Sequence, residues 1–207
     1  MIATDPHQFL RMRRSTRRFR TEAVAPGLIE RILFTAAHAP SAHNRQPWRF
    51  RVITLPEIKS RLADAMGVDF SRDLAADGVA PEIISAQVGR SRARILAAPI
   101  IIILCMDASD MDVYPDARRN EAERTMAIQS VAAAGMQLLL AAHSEGLGAV
   151  WVCSPLFAPQ SVQRALQLPP HWEPQSMYFI GYPEDTAKPK VVRPLSEIAH
   201  FDEGWEK

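Results

Sequence analysis

The sequence predicts an α+β domain built on one central mixed sheet flanked by helices. Three features carry that expectation. Behind Pro99, Ile100–Cys105 is an unbroken β-branched and apolar run of the kind found in a strand buried on both faces. Trp48, Phe50 and Val52 alternate with Arg49 and Arg51, which marks a strand with one polar face. Two further strand-like runs, Gly148–Val152 and Met177–Tyr182, are separated from these by stretches of helical periodicity.

The first helix starts at Asp5-Pro6-His7-Gln8, with Asp as N-cap, Pro at the first helical position and Gln three residues after the cap, and ends near Ser15. A second runs from about 26 to 39: Ile29, Ile32, Leu33 and Ala36 share one face, and Pro40 stops it. Helices are expected at 56–66 and 82–97, a polar loop at 107–116, and a long helix at 117–145 closed by Gly146 in a left-handed cap. A short helix spans 159–167. Within the long helix, Ala132-Ala133-Ala134-Gly135 lets another element approach closely, making it the domain's central helix or a seam between subunits. The chain reads as a single domain over 1–207. Residues 183–207, with Pro183, Pro189 and Pro194 among scattered charges, form a C-terminal arm too polar for a core of its own.

A chain of 207 residues supports one sizeable core. With 24 Lys and Arg against 23 Asp and Glu, nothing global points to nucleic acid or an anionic membrane. The local balance differs, because residues 11–20 hold six arginines, and a basic cluster on a balanced chain points to a bound anion. Cys105 and Cys153 lie in apolar runs at no metal-like spacing and read as reduced core residues. No signal-peptide pattern opens the sequence, and Arg124, Gln129, Ser130 and Gln137 argue against a membrane span for the long helix. The expected setting is soluble and cytoplasmic. The six histidines have no H-x-x-x-H or H-E-x-x-H spacing, so no metal site is expected. There is also no G-x-G-x-x-G after a strand, no Walker loop and no G-x-S-x-G elbow.

Two constellations can carry chemistry. Arg13-Arg14-Ser15-Thr16-Arg17, at a helix end, offers guanidinium forks and hydroxyls to a phosphate; the same run also reads as a solvated basic surface. Pro40-Ser41-Ala42-His43-Asn44-Arg45-Gln46-Pro47 is a loop of amide, hydroxyl and imidazole groups between two prolines. Its amides can read the edge of a planar heterocycle, or merely cap a turn.

Together these motifs resemble the FMN-dependent nitroreductase family. The likeness runs through Arg13-Arg14-Ser15-x-Arg17-x-Phe19, Pro40-Ser41-x-x-Asn44-x-Gln46-Pro47-Trp48-x-Phe50, Leu138–Ala142 with Glu145–Trp151, Phe179–Pro183, and Arg193-Pro194-Leu195. The resemblance implies a nitroreductase-like fold in an intertwined homodimer with two FMN sites at the interface. Carried over residue by residue, it assigns Arg13 and Ser15 to the FMN phosphate with Arg14 nearby, and Arg17 to the pyrimidine side of the flavin as the one catalytic side chain. Pro40, Ser41, Ala42 and Asn44 would reach the flavin from the partner subunit, with Gln46 orienting that loop or the ribityl chain. Arg193, helped by Lys190, would form a second phosphate clamp. Cys153-Ser154-Pro155 stands where many members have an acidic residue followed by Gly, so Cys153 and Ser154 would meet the flavin N5 and O4 through backbone N–H groups.

The implied reaction moves hydride from NAD(P)H, a transient donor, through flavin N5 to an electron-poor small molecule. A narrower likeness, through Pro40–Phe50, Tyr114-Pro115-Asp116 and Leu168–Trp172, is to the flavin domain fused to the ligase of deazaflavin-coenzyme biosynthesis, which implies reduction of a dehydro-deazaflavin precursor. Two other readings stand beside these: an enzyme of the same fold that consumes its flavin, and a non-catalytic anion or nucleotide binder.

Overall fold

One strand with every side chain buried organises the computed structural model, which describes residues 5–185, 190–202 and 204. The strands are β1 (Trp48–Ile53), β2 (Ile100–Met106), β3 (Gly148–Val152) and β4 (Glu173–Gly181). The helices are α1 (Pro6–Met12), α2 (Pro26–Ala36), α3 (Pro56–Ala76), α4 (Pro81–Ala97), α5 (Ala117–Ser144), α6 (Pro159–Leu166) and α7 (Leu195–Ile198). Single 3₁₀ turns lie at Ala42–Asn44 and Ser154–Phe157.

The strand order is β1-β2-β4-β3. Ile100, Ile102, Leu104 and Met106 of β2 join a core with α2 and α5, while Ile101, Ile103 and Cys105 join a second core with α3, α4 and α6. A strand covered on both faces needs no polar alternation, which is why this run was legible as a central strand. All four strands pair antiparallel, so the sheet is narrower in type than the mixed sheet expected. The physical reason lies in the connections: the α3–α4 pair and α6 each return the chain to the end of the sheet it left, and α5, which does cross to the other end, joins β2 to β3, two strands that are not neighbours. Among the described residues, the one parallel pairing is an isolated bridge, Ser15 to Ala149.

Asp5 caps α1 as expected, accepting from the N–H groups of His7 and Gln8 at 2.9 and 3.2 Å. α2 ends at Ala36, three residues early, because Ala37, His38 and Ala39 already bond back as turns before Pro40. α3 runs ten residues beyond its expected end and pairs with α4 through a turn in which Gly78 has φ 74°. Its added turns are held partly by charge, Arg72 binding Asp69 at 2.7 Å and Asp73 at 2.9 Å, a pattern without the apolar periodicity that reveals a buried helix. β4 starts at Glu173, where Arg124 of α5 grips the carboxylate at 2.9 Å.

The small-residue run in α5 serves the sheet. A Cβ on Gly135 would sit 2.0 Å from Tyr178 Oη and 3.1 Å from Leu104 Cδ2, so the helix backbone lies directly on two strands. Tyr178 is fully buried, and its hydroxyl accepts from Ser176 Oγ at 3.2 Å.

Asp107, just past β2, ties the loop to the sheet: its N–H donates to the Pro47 carbonyl at 2.8 Å and its carboxylate meets Arg49 at 2.9 Å. Burial opposes its charge. The hydroxyl and N–H of Ser109, with the charges of Arg49 and His171, outweigh that and hold its pKa below the ordinary aspartate value.

Two outcomes are expected. Gly135→Ala should destabilise the domain by about 1–3 kcal/mol, the scale of overpacking, and Tyr178→Phe in that background should return part of the loss; denaturant midpoints of the four-member cycle measure it. For Asp107, stability is present above the unfolded carboxylate pKa of about 3.9 and is lost as pH falls through the lower folded value. Asp107→Asn should therefore be less stable at neutral pH and show a shallower acid limb in urea midpoints between pH 2 and 6.

Candidate functional site

Residues 13–20 leave α1 extended and lie across one end of the sheet as a basic strap. Arg13 turns out of the helix with φ −56° and ψ 134°. Ser15 bridges Ala149, and Thr16 N–H donates to the Ala149 carbonyl at 3.0 Å. Four residues on, Phe19 bridges Pro183, and Arg20 N–H donates to the Tyr182 carbonyl at 2.9 Å. Two glycines permit the fit. A Cβ on Gly148 would strike Thr16 Cγ2 at 2.6 Å, and one on Gly181 would strike Pro99 at 2.6 Å and Phe19 at 3.2 Å.

Arg13, Arg14 and Ser15 are therefore positioned together by backbone pairing. Arg14 donates to the carbonyls of Arg11 and Arg13. Nearby, His143 stacks on Phe9 with ring centroids 4.8 Å apart. Burial lowers its pKa, and the charges of Arg13 and Arg14 lower it further, so a positive field occupies this corner of the fold. That is the electrostatic setting a phosphate requires.

Next to the strap a cavity of about 820 Å³ opens between the ends of β3 and β4 and the α3–α4 pair. Val150, Val152, Met177 and Phe179 form its sheet-side floor, with Phe70 and Phe157 at the walls. Arg17 enters from the strap, and Cys153 and Ser154 from the turn after β3, so three of the expected site residues converge here. Cys153, expected as a core residue, is exposed: β3 ends at Val152 and the chain turns out of the sheet one residue later. Cys105 is the buried one, its thiol pushed up to about 12 by burial.

Sequence reasoning missed the α4 side of the cavity, where Gln87, Arg90, Ser91 and Arg94 line the wall opposite the sheet. Arg90 and Arg94 lie four apart on one helix face, the only signal that could have found them. The charge balance is instructive. Asp69, Asp73 and Asp77 line the same cavity; the first two are committed to Arg72, and Ser161 and Arg72 hold the Asp69 pKa low. The guanidinium groups of Arg17, Arg90 and Arg94 have no hydrogen bond or ion pair among the described residues. An apolar slot lined by three uncommitted guanidinium groups is suited to a planar anion.

The loop at 40–46 is elsewhere. Ser41 Oγ accepts from Gln46 N–H at 3.1 Å, Gln46 Nε2 donates to Asn44 Oδ1 at 3.1 Å, and Ala42 N–H donates to Ser130 Oγ of α5 at 3.1 Å. His43, Asn44 and Gln46 all have positive φ, from 50° to 53°, a strained backbone of the kind held at functional sites. Pro40, Ser41, Ala42, Asn44 and Gln46 do not line the cavity. Ala42 is moored at Ser130 while Arg13 neighbours His143, and 13 residues of helix separate the two by roughly 20 Å. On one chain the amide-bearing loop thus stands at the middle of α5 and the basic strap at its C-terminal end. Lys190 and Arg193 stand exposed on the tail, with no hydrogen bond or ion pair to the strap among the described residues.

Residues 10–182 match the family model described as the nitroreductase family. Among curated proteins, the chain is 28% identical to an NADH dehydrogenase of Thermus thermophilus, with 90% of each covered. It is 30% identical to a 5,6-dimethylbenzimidazole synthase of Rhodospirillum rubrum, over 94% of this chain and 85% of that protein. In fold it is similar to a BluB-like flavoprotein from Clostridium difficile 630, with a TM-score of 0.78 at 23% identity over 97% of this chain and all of the other. A nitroreductase-type structure in complex with FMN, from Desulfovibrio desulfuricans, has a TM-score of 0.72 at 27% identity, covering 97% and 98%.

Gly148→Ala tests the strap. The added methyl should push Thr16 away from β3, carrying Ser15 and Arg17 with it, and raise the FMN Kd about tenfold or more, the equivalent of about 1.4 kcal/mol. Fluorescence titration of the flavin-free protein reads this, with circular dichroism confirming that the fold persists.

Proposed function

Because this chain belongs to the nitroreductase family, it is an oxidoreductase of the flavin-dependent kind, and we propose that it holds FMN between two copies of itself and carries hydride from NAD(P)H to an electron-poor small molecule. The observation that carries this reading is the cavity at the ends of β3 and β4, with an apolar floor and Arg17, Arg90 and Arg94 uncommitted around it. At about 820 Å³ it lies within the range of roughly 300–1,000 Å³ of cofactor pockets.

The distance between the half-sites supports the second copy. The strap lies at the C-terminal end of α5, the amide-bearing loop roughly 20 Å away at its middle, and the cavity on the other face of the sheet, so a site using all three draws the loop from a neighbouring chain. Ile128 and Met136, exposed on the outer side of α5, and Phe34, exposed on α2, supply apolar surface for such a contact.

FMN, when bound, supplies a ring that accepts hydride at N5 and passes it on. The chain's own residues bind, orient and shield. Arg13 and Ser15 hold the phosphate, with Arg14 supporting the Arg13 carbonyl and Lys190 and Arg193 brought in from the arm. Val150, Val152, Met177 and Phe179 keep one side of the slot dry. Arg17, joined by Arg90 and Arg94, sets a positive charge beside the pyrimidine edge, where reduction places negative charge. Cys153 and Ser154 present backbone N–H groups to the opposite edge. In the partner's site, Asn44 and the backbone of Pro40, Ser41 and Ala42 close over the ring while Gln46 holds Asn44. No side-chain nucleophile is needed; positioning and a fixed cation suffice.

A second reading, in which bound FMN is consumed, draws support from the relative called 5,6-dimethylbenzimidazole synthase, whose named product shares the dimethylated benzene ring of a flavin. The Cys153-Ser154 departure beside the ring is compatible with it.

Visible spectra of the purified protein under anaerobic NADPH test the proposal. Flavin bands should bleach and return in full when air is admitted; bands that bleach and do not return would favour consumption. A colourless protein that also refuses added FMN would remove the proposal. Arg17→Ala should lower the flavin midpoint potential by roughly 30 mV, equivalent to about 1.4 kcal/mol for a two-electron couple, while weakening FMN binding less. An unchanged potential would take that role from Arg17.

A further inference from the structure

Away from the cavity, the strained turn carries a second cluster that the flavin reading does not use. His43 of the turn, Asp112 of the 107–116 loop and Glu123 of α5 bring one donor atom each to within 4.8 Å of one another. Their sequence spacing, 69 and 11 residues, resembles no ligand motif, so only the fold assembles them.

Glu123 is the unusual member. It is 3% exposed, one of few buried charged residues. Its Oε1 accepts from Asp112 N–H at 3.2 Å, but its Oε2 is buried with no hydrogen-bond partner among the described residues. A buried carboxylate oxygen without a donor is costly, because it has lost water and gained nothing in return. Among the described residues, the one cation bonded within the cluster does not relieve it: Arg45 binds Asp112 Oδ1 at 2.7 Å, leaving Asp112 Oδ2 over. His43 is exposed, free to swing inward.

We propose that His43, Asp112 and Glu123 form a site for a divalent transition-metal ion that fastens the 42–46 turn to α5. One imidazole nitrogen and two carboxylate oxygens suit a borderline first-row ion such as Zn²⁺, whereas Mg²⁺ and Ca²⁺ favour all-oxygen shells. Donor bonds of about 2.0–2.2 Å require the three groups to draw closer than they stand. The exposed imidazole is the group able to move, and water completes the shell on its open side. The ion's role is structural. It neutralises Glu123 and ties the strained His43–Asn44 turn to α5, because a metal held by ligands from separate segments adds its binding free energy to the folded state.

The test is calorimetric titration of the whole protein, freed of metal by a chelator, with Zn²⁺ and separately with Mg²⁺. The expected result is one Zn²⁺ per chain and at least tenfold weaker Mg²⁺ binding. Zn²⁺ affinity should fall at least tenfold in His43→Ala and in Glu123→Gln and stay unchanged in His7→Ala, which alters another exposed histidine. Zn²⁺ should also raise the Tm of the wild type and not that of His43→Ala. Because His43 is exposed, its variant remains informative even if Glu123→Gln does not fold. Absence of Zn²⁺ uptake by the wild type, equal affinity in His43→Ala, or equal binding of Mg²⁺ would overturn the proposal.

Discussion

The two-sided burial of β2 is the constraint on which the rest of this structure depends. A strand whose seven side chains are all buried must be covered on both faces, and neither cover alone would satisfy it. α5 and α2 close one face; α3, α4 and α6 close the other. The alternation of Ile100, Ile102 and Leu104 with Ile101 and Ile103 divides one apolar run between two cores. Everything that positions the candidate site follows from how those covers end.

On the α5 side, close packing determines the distance between functional parts. Gly135 lies against Tyr178 and Leu104, so the helix is pinned at its middle and projects past the sheet toward both ends. The Ala42–Asn44 turn is moored at Ser130, midway along the helix, and the basic strap lies by His143 at its C-terminal end. A rigid helix between them prevents either half from closing on the other within one chain. On the opposite face, the α3–α4 pair overhangs the ends of β3 and β4 and leaves the cavity beneath it. The same helices that bury the odd-numbered side of β2 therefore furnish Arg90 and Arg94.

Charge is distributed in keeping with this division. Where carboxylates and guanidinium groups serve the fold they meet: Arg72 with Asp69 and Asp73, Arg124 with Glu173, Arg31 with Glu145, Arg49 with Asp107. Most of these pairs are partly exposed and add little stability individually. At the cavity, the Arg72 pairs occupy two of the three lining carboxylates, Asp69 and Asp73, leaving Asp77 beside Arg17, Arg90 and Arg94, which have no ion partner among the described residues. Glu123 is the converse case, a buried anion that the chain's own cations leave half satisfied.

Local sequence determined the elements. Strand β1 and strand β3 have the bounds their alternation and β-branching indicate, and the caps at Asp5 and Gly146 stand where short-range chemistry requires them. The strap at 13–17 and the loop at 40–46 were also legible as candidates, because basic and amide-rich runs are contiguous. What local sequence could not decide was which of these parts meet. The antiparallel sense of every strand pair, the extension of α3 over the cavity, the exposure of Cys153 and the arrival of Arg90 and Arg94 beside Arg17 all depend on contacts between segments far apart in the chain. The convergence of His43, Asp112 and Glu123 is of the same kind. Short-range propensity and periodicity specify elements because they act within a few residues; a site is made by packing two-sided burial into one domain, and only the tertiary structure decides it.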